Sequence, residues 1–267
     1  MKIKFLVFCL LLTLNPLLTL SQDWEYGGIA GIMGYKGDLA PRNAIHGINP
    51  MAGLFVKANI SPIISFGIMS QVGRISGDAN NYDYLAAKNL NFSSPIIDGT
   101  LFMEYNFFRF TKGLRPKQFT PFLQTGVGIT FFNPSAQYNN ESFNLHEAGT
   151  EGQKSPNIDA NGYSRITVHF PIAAGFKFQF ARSWVVAING GYKLTTTDYL
   201  DDVGGEYAAP ELFNSDQTAF LNNPADPDYT AFNETGKERS FYENLDWYYF
   251  VGIRLSYVIP VARCFEF

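Results

Sequence analysis

Charge is scarce in this chain of 267 residues: only 16% are Asp, Glu, Lys or Arg, against roughly 25% in ordinary soluble domains. Cysteine is scarcer still, with Cys9 near the start and Cys264 near the end, so a disulfide framework is excluded. No apolar run reaches the roughly 20 residues that a helical membrane span needs. HExxH and CxxC spacings are absent, and no Ser-His pair sits on a predicted strand, which leaves metalloprotease, redox and hydrolase chemistry without a carrier. The net charge of -4 argues against nucleic acid as the principal partner.

What the chain does have is aromatic and interleaved. Phe (25) and Tyr (15) dominate a 16% aromatic content, and hydrophobic residues reach 46%. The mean hydropathy is nevertheless only -0.07, so apolar and polar residues must alternate. A wall with one face in lipid and one in a polar interior has this composition; a soluble aromatic-rich sandwich has it too. The first residues point to export. Lys2 and Lys4 precede an apolar run from Phe5 to Leu14, Asn15 and Pro16 break it, and Thr19-Leu20-Ser21 offers small residues where a signal peptidase reads. A signal peptide over 1–21 is expected to remove Cys9.

Beyond it, period-2 alternation recurs in eight segments, at Trp24–Tyr35, Met51–Ile60, Ile63–Gly73, Ile96–Phe107, Thr120–Phe132, Ile166–Phe178, Trp184–Thr195 and Trp247–Ile259. In the sixth, Ile166, Val168, Phe170, Ile172, Phe176 and Phe178 share one face, and Thr167, His169, Gly175 and Lys177 the other. The links sort by length. Those after the second, fourth and sixth segments are short or medium, and those after the first, third, fifth and seventh are long. A sandwich has no reason for that order. An all-β, eight-stranded antiparallel up-and-down transmembrane β-barrel over 22–259 requires it, with short periplasmic turns and long external loops. Trp24, Phe131, Trp184, Trp247 and Tyr257 lie near strand ends, where amphipathic rings favour a membrane interface.

Parity places Glu25, Asp98 and Glu104 inside, with Lys57, Lys177, Lys193 and Arg254. An eight-stranded barrel is just wide enough for its own side chains to fill, so these charges are expected to pair as a lumen ion network rather than line a pore. The last long link is acidic: Asp198 to Asp246 holds twelve acids and two bases, Lys237 and Arg239. Calcium binding through Asp198, Asp201 and Asp202 is one reading; a solvated surface loop is the favoured one. The link after the fourth segment is basic, with Arg109, Lys112, Arg115 and Lys117 and no acid. It offers a rim for an acidic partner or anionic headgroups, or a generic flanking charge. A tail over 260–267 would leave Cys264 in the oxidising periplasm, available for crosslinking or buried and inert.

Eight stretches recur together in order: GYKGDL (Gly34 to Leu39), GRISGD (Gly73 to Asp78), NLNFSSPI (Asn89 to Ile96), EYNFF (Glu104 to Phe108), FTPFLQTGVG (Phe119 to Gly128), GTEGQ (Gly149 to Gln153), TDYLDDVGGEY (Thr197 to Tyr207) and DWYYFVGIRLSY (Asp246 to Tyr257). With the cysteine that follows, this resembles the PorG-like outer-membrane barrel family of the type IX secretion system. GTEGQ and TDYLDDVGGEY are the most specific pieces. The order of long and short links puts both termini in the periplasm; the resemblance implies a non-enzymatic barrel with no cofactor that associates with a periplasmic ring protein and a lipoprotein. Its role would lie in protein secretion and gliding motility. The alternatives are a stand-alone barrel for adhesion or membrane integrity and, more weakly, a small-solute channel.

Overall fold

The computed structural model describes residues 23–40, 46–110, 118–138, 141–155, 162–213, 215–224, 234–240 and 245–259. The signal segment, the 260–267 tail with Cys264, and Lys112, Arg115 and Lys117 lie outside them.

Eight long strands form the wall: β1 (Asp23–Lys36), β2 (Asn49–Asn59), β3 (Ile64–Asp78), β4 (Asn91–Asn106), β5 (Phe119–Phe132), β8 (Ile166–Gln179), β9 (Trp184–Thr195) and β10 (Trp247–Ile259). A small hairpin, β6 (Ser135–Tyr138) and β7 (Glu141–Asn144), lies between β5 and β8. Each wall strand pairs antiparallel with its sequence neighbour in the wall, and β10 closes onto β1 from Trp24–Ile259 to Lys36–Trp247. The barrel is closed, with no free edge in its wall.

Alternation sorts the side chains as the pleat demands. Ile68, Leu101, Ile188 and Ile253 each expose more than half their surface outward, while Met33, Met69, Ile96, Phe102, Phe122 and Phe250 are buried inside. A closed wall with an apolar exterior is stable in lipid, where an unpaired backbone group costs several kcal/mol. No described helix is long and apolar enough to cross a membrane.

Two boundaries depart from the sequence expectation. β3 runs on from Gly73 to Asp78, and β4 starts at Asn91, five residues before Ile96. There the outward residues turn polar (Arg74, Ser76, Ser93), so alternation fades although Ile75, Phe92 and Ser94 stay buried. The paired strands rise past the apolar band.

Close approach decides one inward glycine. A Cβ on Gly128 would lie 2.4 Å from the Gly99 carbonyl oxygen and 2.5 Å from the His169 ring. The space belongs to His169, held between Thr130 Oγ1 at 2.7 Å and Thr100 Oγ1 at 2.9 Å. Gly128→Val is therefore expected to destabilise the barrel by about 1–3 kcal/mol, the usual cost of overpacking. Urea unfolding in detergent micelles reads the change, and an unaltered midpoint would contradict this account of the close approach.

Candidate functional site: an ion-paired lumen beneath a loop cap

The predicted inward charges meet in two clusters. Nearer the short-turn end, Glu104 on β4 is the hub. Its Oε1 accepts from Lys57 Nζ of β2 at 2.5 Å and Lys177 Nζ of β8 at 2.6 Å, and its Oε2 from Arg254 Nη1 of β10 at 3.2 Å. Glu25 of β1 lies 3.4 Å from Lys57 and accepts from Ser256 Oγ at 2.7 Å. Arg254 also donates Nη2 to Gln124 of β5. The guanidinium lies against the rings of Phe55 and Phe122, and Lys177 against Phe110. A cavity of about 10 Å³ lies in this layer beside Glu25, Lys57, Glu104 and Arg254, room for one water at most.

The second cluster is nearer the long-loop end. Lys193 Nζ of β9 donates to Asp98 Oδ1 at 2.6 Å and to Gln71 Oε1 at 2.5 Å. Tyr248 donates to Asp98 Oδ2 at 3.2 Å and joins Thr130 at 2.8 Å, linking the ion pair to His169. All seven charges are buried, and each opposes a charge from another strand. Together they cross-brace the cylinder through its lumen.

Above them the long links build a compact cap that sequence reasoning missed. The favoured solvated-loop reading of 198–246 holds at Glu206, Glu211, Asp216, Glu234 and Glu238, which are exposed, and is corrected at Asp201, Asp202, Asp246 and Arg239, each 1% exposed or less. Arg239 is the keystone. Its guanidinium donates to the carbonyls of Asp202 (2.6 Å), Asn222 (3.1 Å) and Leu221 (3.1 Å), and to Thr150 Oγ1 (3.1 Å). It also lies 3.4 Å from Glu151. GTEGQ and TDYLDDVGGEY meet around it: Thr150 donates to Asp202, and Glu151 Oε1 accepts from the amides of Gly204 and Gly205. Asn222 Nδ2 closes the ring on the Thr150 carbonyl at 2.6 Å. A lone arginine among twelve acids was the available signal.

The cap is bolted to the wall by carboxyl groups. Tyr35 at the end of β1 directs its hydroxyl at Asp246 Oδ1 (2.5 Å) and Asp201 Oδ2 (2.7 Å), and Leu200 N donates to Asp246 Oδ2. The calcium reading does not assemble. Asp201 takes the Val203 amide, and Asp202, in the left-handed region at φ 68°, takes Thr150 and Tyr163. Among the described residues no metal-binding group of three gathers. His46 is exposed, and His146 contacts the Tyr163 carbonyl at 3.1 Å. Arg109 is exposed at the short-turn end.

A family model described as "Domain of unknown function (DUF6089)" matches residues 2–266. The chain belongs to the DUF6089 family. No curated protein matches it. Among solved structures it is similar to the outer membrane protein OprG of Pseudomonas aeruginosa (10% identity, 89% of this chain and 96% of that one, TM-score 0.42). It is also similar to Neisserial surface protein A (8%, 88% and 96%, TM-score 0.42) and to the attachment invasion locus protein of Yersinia pestis (9%, 89% and 97%, TM-score 0.39). For this DUF6089 member the described residues supply a lumen crossed by buried ion pairs and a cap folded around Arg239.

Burial sets the cap's response to pH. It pushes the Asp198 carboxyl up to about 7, with Asp38 and Glu151 adding to it, and Asp202 to about 6 against the pull of Arg239. Asp201 and Asp246 are raised by the same desolvation. Acids raised in the folded state stabilise it while protonated. That stability is complete below the unfolded value near ~4 and is lost as pH climbs through about 6 and 7. Hydrogen exchange at Leu200 and Val203, corrected for the intrinsic rate, should show more protection at about pH 5 than at about pH 8; a reversed order would refute this.

The lumen gives a second expectation. Glu104→Gln leaves three buried cations without their hub and should cost about 3–5 kcal/mol, whereas Lys237→Ala, breaking an exposed pair with Glu234, should cost under about 1 kcal/mol. Urea midpoints of the two variants that coincide would argue against the hub.

Proposed function

We propose that this protein is a non-catalytic, non-conducting outer-membrane barrel that serves as an anchoring component of a protein secretion apparatus of the type IX kind. In this reading the termini and short turns face the periplasm, and the capped end faces outward from a Gram-negative cell. The observation that carries it is the ion-paired lumen: with Glu104 holding cations from β2, β8 and β10 and Asp98 one from β9, this reading puts the barrel's work at its ends and not through its centre. The apparatus is suggested by the resemblance of the eight motif stretches to PorG-like barrels. The proposed partners are outer-membrane lipid and, at the short-turn end, a periplasmic ring protein and a lipoprotein. Arg109, Lys112, Arg115, Lys117 and Cys264 are the candidate contacts.

A second reading, a stand-alone barrel for adhesion or membrane integrity, is favoured by the cap itself. Its loops enclose a recess of about 170 Å³ lined by Asn89, Asn91, Tyr138, Phe220 and Arg239, a feature a purely internal anchor does not need.

Affinity purification from detergent-solubilised membranes separates the two. Recovery of a periplasmic protein and a lipoprotein, reduced when Arg109, Lys112, Arg115 and Lys117 are all changed to Ser, is the expected outcome. Recovery of the barrel alone would favour the second reading. An epitope inserted beside Glu211 should be labelled on intact cells. Steady conductance in planar bilayers would overturn both readings.

A further inference from the structure

On one side of the barrel the outward face changes character along a single line. Val72 of β3 faces Ile97 of β4, Ile97 faces Phe131 of β5, and Phe131 faces Ile166 of β8. All four are exposed on the wall. Towards the long-loop end the row turns polar or to proline: Arg74 on β3, Pro95 and Ser93 on β4, and Asn133 and Ser164 just beyond the ends of β5 and β8. The apolar band ends at this row, and a lipid's polar headgroup begins at such a level.

Two arginines stand at that boundary, one on each side of β4 and β5. Arg74 is exposed and donates Nη1 to Ser93 Oγ at 3.1 Å. Arg165 donates Nη1 to Asn133 Oδ1 at 3.2 Å, its guanidinium lies 5.9 Å from the Phe131 ring centre, and its own carbonyl accepts from Phe132 N. Both therefore have a neutral oxygen holding one end of the fork. Neither forms an ion pair among the described residues, although the chain carries 24 acids against 20 bases. The lumen arginine Arg254 and the cap arginine Arg239, by contrast, each have a carboxylate partner. A guanidinium offers five N–H donors in a planar array that matches phosphate oxygens. Two such groups, steadied but not neutralised, directly above an apolar row, are complementary to phosphate carried on acyl chains.

We propose that Arg74 and Arg165, with Ser93 beside them, form a binding site on the outer wall for the phosphorylated headgroup of a glycolipid in the outer leaflet. The lipid's acyl chains would lie along the Val72–Ile97–Phe131–Ile166 row. The inference rests on the orientation in which the long-loop end faces outward; it does not depend on the secretion role. Lipid held there would fix the depth of the wall at the level where β3 and β4 rise out of the membrane.

The test uses the full mature barrel in phosphatidylethanolamine nanodiscs containing lipid A with its phosphates. Each sample is extracted into mild detergent and weighed by native mass spectrometry. Wild-type protein is expected to retain lipid A, and Arg74→Gln with Arg165→Gln to lower retention at least about tenfold, the loss of one strong charge-assisted contact. Heat-modifiable migration on gels confirms that the double variant is folded, and each single variant provides a second measure if it is not. Equal retention by wild type and the folded double variant would overturn the site. So would equal retention of lipid A stripped of its phosphates, which would mean acyl packing alone. In nanodiscs holding cardiolipin and lipid A in equal amounts, preferential retention of cardiolipin would overturn the assignment to an outer-leaflet glycolipid. Labelling at Glu211 on intact cells reports the orientation independently, so a wrong orientation and a wrong site give different results.

Discussion

Everything in this protein follows from one requirement: a backbone placed in hydrocarbon must satisfy its own hydrogen bonds. The wall meets it by pairing each of eight strands with two neighbours and joining β10 to β1, so that no edge remains. Closure then imposes the rest. Side chains alternate between lipid and lumen, the lumen of so small a cylinder is filled by what points into it, and any charge that points inward must find its partner there. Glu104 and Asp98 are those partners, gathering cations from β2, β8, β9 and β10. Burial of this kind is costly unless the pairing is complete, and that condition turns isolated inward residues into braces between strands far apart in sequence.

The cap obeys different rules. It lies beyond the apolar band, has little regular structure, and could have remained solvated. It is ordered because a single guanidinium collects carbonyl oxygens from separate parts of the long links. Glu151 and Asp202 supply the countercharge. Its attachment is acid upon acid: one Tyr35 hydroxyl serves two carboxyls, Asp201 and Asp246. The cap and the lumen thus respond to different variables. The lumen depends on opposite charges held close, and the cap on carboxyls whose desolvation favours the protonated form.

The wall was readable in advance because its physics is local. β9 and β10 coincide with their alternating segments end to end, Trp184–Thr195 and Trp247–Ile259, and parity alone put Glu25, Lys57, Asp98, Glu104, Lys177, Lys193 and Arg254 on the inward face. The upper parts of β3 and β4 were not readable, since Arg74, Ser76 and Ser93 leave the lipid face and with it the pattern that marks a strand. The hairpin β6–β7 was missed for the same reason: four-residue strands outside the membrane carry no periodicity long enough to stand out.

Strand number, parity and the sorting of long and short links are written in the sequence by itself, because each depends on residues one or two positions apart or on the length of chain between them. Which charges pair was decided only by the closed structure. Lys57 and Lys177 share one oxygen of Glu104 because closure brings β2 and β8 to the same depth around β4, and Arg239 reaches Thr150 across 89 residues of chain. Those contacts depend on where the cylinder and its cap place distant segments, and no local pattern encodes that distance.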